Sequence, residues 1–153
     1  MNKKRSLWLS RSFCFPGPYL AFCATEEDFK KCLKDLKIEE KISWIKEGFN
    51  AATHEFVNTD GKTALIVSLD TSQQKSNIEI AALLVHEAVH IWQIYMESLN
   101  EKKPGSEIEA YGIQAISTFL FSAYQDYLVL GSTSRKKIRK PIKPVLQKKS
   151  QKQ

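Results

Sequence analysis

His86 and His90 lie four residues apart, with Glu87 directly after the first of them. On an α-helix that spacing sends both imidazoles from one face, one turn apart. Two nitrogens so placed can reach one tetrahedral zinc ion (Zn2+) at about 2.0–2.1 Å. Glu87 is rotated about 100° from His86, near such a metal without having to bind it. Zinc lowers the pKa of a bound water, and Glu87 is the base that would accept the water's proton as it attacks a carbonyl. The pattern predicts zinc-assisted hydrolysis of a peptide bond, with Glu87 as catalytic residue returning the proton to the leaving amine. From Ile80 to Tyr95 only His86, Glu87, His90 and Gln93 are strongly polar. A helix apolar nearly all round is expected to be buried. An unpartnered polar group there costs roughly 1–3 kcal/mol, so the histidines need a partner and a metal supplies it. Gln93 either orients a zinc ligand or anchors a nearby backbone group.

Two histidines leave a catalytic zinc one protein ligand short. The acidic candidates stand on the next predicted helix, at Glu107 and Glu109. Two residues apart, they diverge by about 200°, so one at most faces the metal. Glu109 shares its stripe with Ile113, Ile116 and Leu120, an apolar face that should point inward. Glu107 shares its own with Tyr111, Gln114, Thr118 and Gln125. An acid on the inward stripe wants a cation, which selects Glu109. It is also three residues after Ser106, where a capping box would explain a glutamate without any metal.

The segment His86-Glu87-Ala88-Val89-His90, followed after 18 residues by Glu109-Ala110-Tyr111, resembles the gluzincin superfamily of zinc peptidases. The phrase Glu109-Ala110-Tyr111 with Ile113-Gln114 is similar to small gluzincin-like proteins of bacteriophages and prophages. The resemblance covers residues 63–127 at most. It implies that His86, His90 and Glu109 hold the metal. It also implies that the strand Thr63–Leu69 is a sheet edge beside it, along which a peptide could lie; without the resemblance the same run fits an ordinary interior strand equally. Two departures weaken the match. Many gluzincins carry an acid four residues past the glutamate ligand, and here that position is Ile113. The larger enzymes close the cleft with a helical lobe that supplies a donor to the oxyanion, and this chain is too short for one. Tyr95, Tyr111, Tyr124 and Tyr127 remain open as donors.

Several elements must position these groups. Tyr19–Cys23 reads as a short buried strand after the Pro16-Gly17-Pro18 turn. Thr25 caps a helix with acids in its first turn and Phe29, Cys32, Leu33 and Leu36 at helical spacing. Residues 39–49 fit a helix or a strand equally. Ala52–Val57 and Thr63–Leu69 form a hairpin, because Asp60-Gly61 tolerates the positive φ of its turn. His54, in the first of these strands, reads as a half-exposed strand residue. Ser76 with Glu79 is a capping box opening a helix to about Leu99. A last helix runs from Ser106 to about Leu130, where Gly131 is expected to stop it. The fold class is α+β: a small zincin-like domain over residues 1–131, its short sheet packed on the motif helix and the glutamate helix. Residues 132–153 read as a basic, disordered tail.

Composition bounds the partners. A hydrophobic content of 42% in 153 residues is enough for one core and excludes global disorder. The net charge of +6 is unevenly spread: residues 1–134 hold 14 Lys/Arg and all 17 Asp/Glu, whereas residues 135–153 hold nine Lys/Arg and no acid. Such a tail can bind nucleic acid through counterion release, but lacks the aromatic residues that base stacking needs. No stretch approaches the roughly 20 apolar residues of a membrane span, so no membrane partner is expected. The basic start is cut too soon by polar residues to read as a signal peptide. Cys14, Cys23 and Cys32 are an odd set, which fits a reducing cytoplasm. The leading expectation is a zinc metallopeptidase acting on a peptide or protein. The rival is a zinc-binding structural or interaction domain without catalysis.

Overall fold

The structure is a computed structural model that describes residues 7–8, 17–59 and 61–138. Three strands and three helices follow in the order β1 (Tyr19–Cys23), α1 (Glu26–Asp35), β2 (Ala51–Val57), β3 (Thr63–Leu69), α2 (Asn77–Ser98) and α3 (Ser106–Ile138). The strands form one mixed sheet in the order β1-β3-β2, giving an α+β fold.

β2 and β3 are the predicted antiparallel hairpin, in a register that pairs Ala51 with Leu69 and Val57 with Thr63. Its turn places Gly61 at φ 72°, a conformation that glycine adopts without steric cost. β1 adds to the far side of β3 in parallel, Tyr19 opposite Ala64. The central strand is therefore β3, buried from Ala64 to Leu69. The expectation that Thr63–Leu69 is a sheet edge is overturned. A strand apolar on both faces belongs inside a sheet, and β2, half-buried along most of its length, takes the edge instead.

The two faces of β3 serve two cores. Leu65, Val67 and Leu69 pack with Leu84, Ala88, Ile91 and Tyr95 of α2 and with Ile116 and Leu120 of α3. Ile66 turns the other way, to Phe29, Cys32 and Leu33 of α1. The helices thus cover opposite faces of the sheet, α1 on one and the α2–α3 pair on the other. Thr25 caps α1 by accepting from the Asp28 N–H at 3.1 Å. Ser76 and Glu79 form the expected capping box at the start of α2. At α2 and α3 the backbones meet closely, since a Cβ on Gly112 would fall inside the Trp92 ring.

Three expectations change. Residues 39–49 are neither helix nor strand: they run irregularly, Ile42 and Trp44 packing on the α1 core. The motif helix is not buried all round, because His86, His90 and Gln93 lie on a flank open to solvent, and Val85 is exposed too. Finally, Gly131 does not end the last helix, whose backbone continues to Ile138. A single glycine costs a helix only about 1 kcal/mol. The boundary read at residue 131 thus falls inside α3, and 139–153, the rest of the basic tail, lie outside the described residues. Most of the N-terminal arm does too, though Trp8 bridges to Ala21 of β1.

Candidate metal centre

The α2 flank that carries the histidines faces a cavity of about 590 Å³, lined by His86, Glu87, His90 and Ile94 of the helix. Its opposite wall is the edge strand, through Ala51, Ala52, Thr53 and His54, and its rim is the irregular segment, through Ile42, Ser43, Lys46 and Phe49. Helix α2 thus lies across the sheet with its motif turned toward β2, one of the two strands at the edges of the sheet.

Within the motif, His86 Nε2 and His90 Nε2 stand 3.0 Å apart. The rings are 4.7 Å between centroids and nearly perpendicular. Two imidazole nitrogens on one tetrahedral zinc, each about 2.0–2.1 Å from it, lie about 3.3–3.4 Å from one another. The pair is therefore within a few tenths of an ångström of a shared-ion geometry. Behind it, His90 Nδ1 is 3.3 Å from Gln93 Oε1. With the amide oxygen accepting, the His90 proton sits on Nδ1 and Nε2 keeps its lone pair for the metal side. Gln93, exposed on the same flank, thus touches one of the two histidines.

Glu87 differs from its neighbours. It is only 4% exposed, whereas both histidines are open to solvent. Its carboxylate Oε2 accepts a hydrogen bond of 2.6 Å from the Thr53 hydroxyl, short in the way of bonds to a charged acceptor. The base predicted from the motif is thus fixed from across the cavity by the edge strand. Nothing in the sequence pointed to Thr53, since a β-branched residue in a strand is ordinary.

His54, next along β2, projects to the opposite face of the sheet. Its ring lies 4.7 Å from Phe29, and its Nε2 is 2.8 Å from the Trp44 carbonyl. Burial pushes its pKa down, against the upward pull of the Trp44 carbonyl and the Glu87 charge. It is the half-buried strand residue expected, and it pins the irregular rim segment to the sheet.

Glu109 stands on the first turn of α3, exposed, and does not line the cavity. The capping box proposed for it does not form: Ser106 is already helical, and the Glu109 N–H bonds the Gly105 carbonyl at 3.0 Å. Its carboxylate is thus left without a capping role. Glu107 is exposed as well. Among the described residues no three His, Cys, Asp or Glu side chains form a group ready to hold a metal. The structure brings together His86, His90 and Glu87, and leaves Glu109 apart from them.

The four tyrosines considered as oxyanion donors do not line this cavity. Tyr95 is buried in the main core, and the Tyr127 hydroxyl is 3.1 Å from Thr71 Oγ1 with Tyr124 stacked beside it. Tyr111 lines a separate groove with Trp92 and Ile108. No helix among the described residues is long and apolar enough to cross a membrane. Comparison with family models, with characterised proteins and with solved structures finds no match to this chain.

Proposed function

We propose that the chain is a small zinc-dependent peptidase of gluzincin type, with His86, His90 and Glu109 as ligands and Glu87 as general base. The observation that carries the reading is the 3.0 Å approach of the two Nε2 atoms beside a buried, hydrogen-bonded carboxylate. The two imidazoles fit a zinc ion, being near shared-ion distance with one of them in contact with Gln93, while the third ligand, Glu109, rests on the gluzincin resemblance and stands outside the cavity. Zinc, when bound there, supplies a Lewis acid that brings the pKa of a coordinated water toward 7.

The chain's own groups do the rest. Glu87 takes the proton of the attacking water on the oxygen that Thr53 does not hold, then passes it to the amine as the peptide bond breaks. Its surroundings of Ala88, Ile91 and the sheet keep bulk water from competing for that proton. The free edge of β2 offers backbone hydrogen bonds to an extended peptide, which would add to the sheet as a fourth strand. Phe49, 64% exposed on the rim, and Ile94 give an apolar side chain of that peptide something to lie against. The buried thiols of Cys23 and Cys32 fit a reducing cytoplasm.

The distance of Glu109 from the cavity favours one rival, a zinc domain in which the metal stabilises the fold without catalysis. Glu87→Gln separates the two. The peptidase reading expects full zinc content and hydrolysis of a quenched fluorescent peptide mixture reduced by about 10²-fold or more. Equal turnover by the two proteins, or none by either, favours the rival.

A further inference from the structure

We propose that Thr53 is a positioning residue for Glu87, and that it ties the base to the strand on which a peptide would lie. The inference rests on the zinc reading above, but its observation is separate: the 2.6 Å bond from Thr53 Oγ1 to Glu87 Oε2 joins residues 34 apart in sequence. A glutamate on a helix has three side-chain torsions, and a buried one with no donor would turn toward solvent. Threonine is stiff at χ1, so its hydroxyl is a fixed point rather than a second mobile partner. Its single O–H proton is directed to Oε2, which leaves Oε1 without a donor and free to accept. One atom of the edge strand therefore sets the plane of the carboxylate.

The location adds a second consequence. Thr53 is paired with Val67 of the central strand, so its backbone is held in the middle of the sheet's register. A peptide added along β2 takes its register from the same backbone that anchors the base. The bond thus links the carboxylate, carried on α2, to the strand along which the peptide would lie, and so favours the near-contact geometry that catalysis needs.

The test compares Thr53→Val, which keeps the shape and strand preference but removes the hydroxyl, with Thr53→Ser, which keeps the hydroxyl. The probe is acetohydroxamic acid, a small zinc-directed acid whose O–H bond breaks on binding and whose proton passes to a neighbouring base. It is titrated calorimetrically into the zinc-loaded full chain. The expected result is equal zinc content in all three proteins, with acetohydroxamate bound about tenfold or more weakly by Thr53→Val and close to normally by Thr53→Ser. In a Glu87→Gln background the Thr53→Val change should have no further effect, because the role runs through the carboxylate. Unchanged affinity in zinc-loaded Thr53→Val, or equal weakening in Thr53→Ser, overturns the assignment. So does zinc loss confined to Thr53→Val, which would tie the hydroxyl to the ligands rather than the base. If Thr53→Val does not fold, Thr53→Ala carries the same comparison. Absence of zinc from the parent chain removes the zinc reading itself, and this inference with it.

Discussion

At the scale of single residues, the two faces of β2 divide the work. Thr53 turns to the motif helix and holds Glu87, while His54 turns to α1 and holds the rim segment through the Trp44 carbonyl. His54 also makes stability depend on pH. Burial keeps its pKa in the folded protein below the ordinary 6.5. The unfolded chain therefore takes up a proton first as the pH drops, and that favours unfolding. The contribution of His54 is complete above about 6.5 and is lost as pH falls through the lower folded value. Denaturant midpoints measured with EDTA from pH 7 to pH 5 should fall more steeply for the parent chain than for His54→Gln. Parallel lines would show that His54 is not buried in its neutral form. The placement of His86 and His90 side by side at one cavity is legible in the sequence, because residues four apart share a helix face. Thr53 was not legible, because its partner lies 34 residues away and only the sheet brings them together.

At the scale of elements, the relation between α2 and α3 decides whether Glu109 can serve the histidines. Gly112, three residues on, is where the helices meet most closely, with the Trp92 ring filling the space that a side chain would need. Gly112→Ala should gain about 1 kcal/mol in helix propensity. It should lose more by overpacking, about 1–3 kcal/mol, because three atoms of the largely buried Trp92 ring lie where the added carbon would stand and the ring must shift. Thermal denaturation of the metal-free protein should show a lower midpoint for the variant; an equal or higher one would mean the helices are not in contact there. Local signals located most elements: Thr25 and the Ser76–Glu79 box marked two helix starts, and Gly61 marked the hairpin turn. The order of the strands was a different matter. Whether β3 is central depends on β1 arriving from 40 residues earlier to pair in parallel, and no local pattern carries that. The clue was its two-sided apolar run, which an edge strand would expose to water. The backbone of α3 runs past Gly131 because one glycine is a small cost against the helix around it.

For the whole molecule, the charge is the dominant asymmetry. Every acid lies before residue 135, while nine of the 23 Lys/Arg follow it. If that tail tethers the domain to nucleic acid, binding of a duplex oligonucleotide should weaken steeply as salt rises and should vanish on deleting residues 135–153. Binding that persists without the tail, or that ignores salt, would place the contact elsewhere. Neither result bears on the histidine pair, which lies on the side of α2 facing the edge strand. Metal content tests the proposed zinc site most directly. After EDTA treatment, reconstitution with zinc and removal of the excess, the parent chain should retain one zinc per molecule. His86→Ala and His90→Ala should each retain almost none, and Glu109→Ala markedly less than the parent. A parent chain without stoichiometric zinc, or zinc retained in full by His86→Ala, would contradict it.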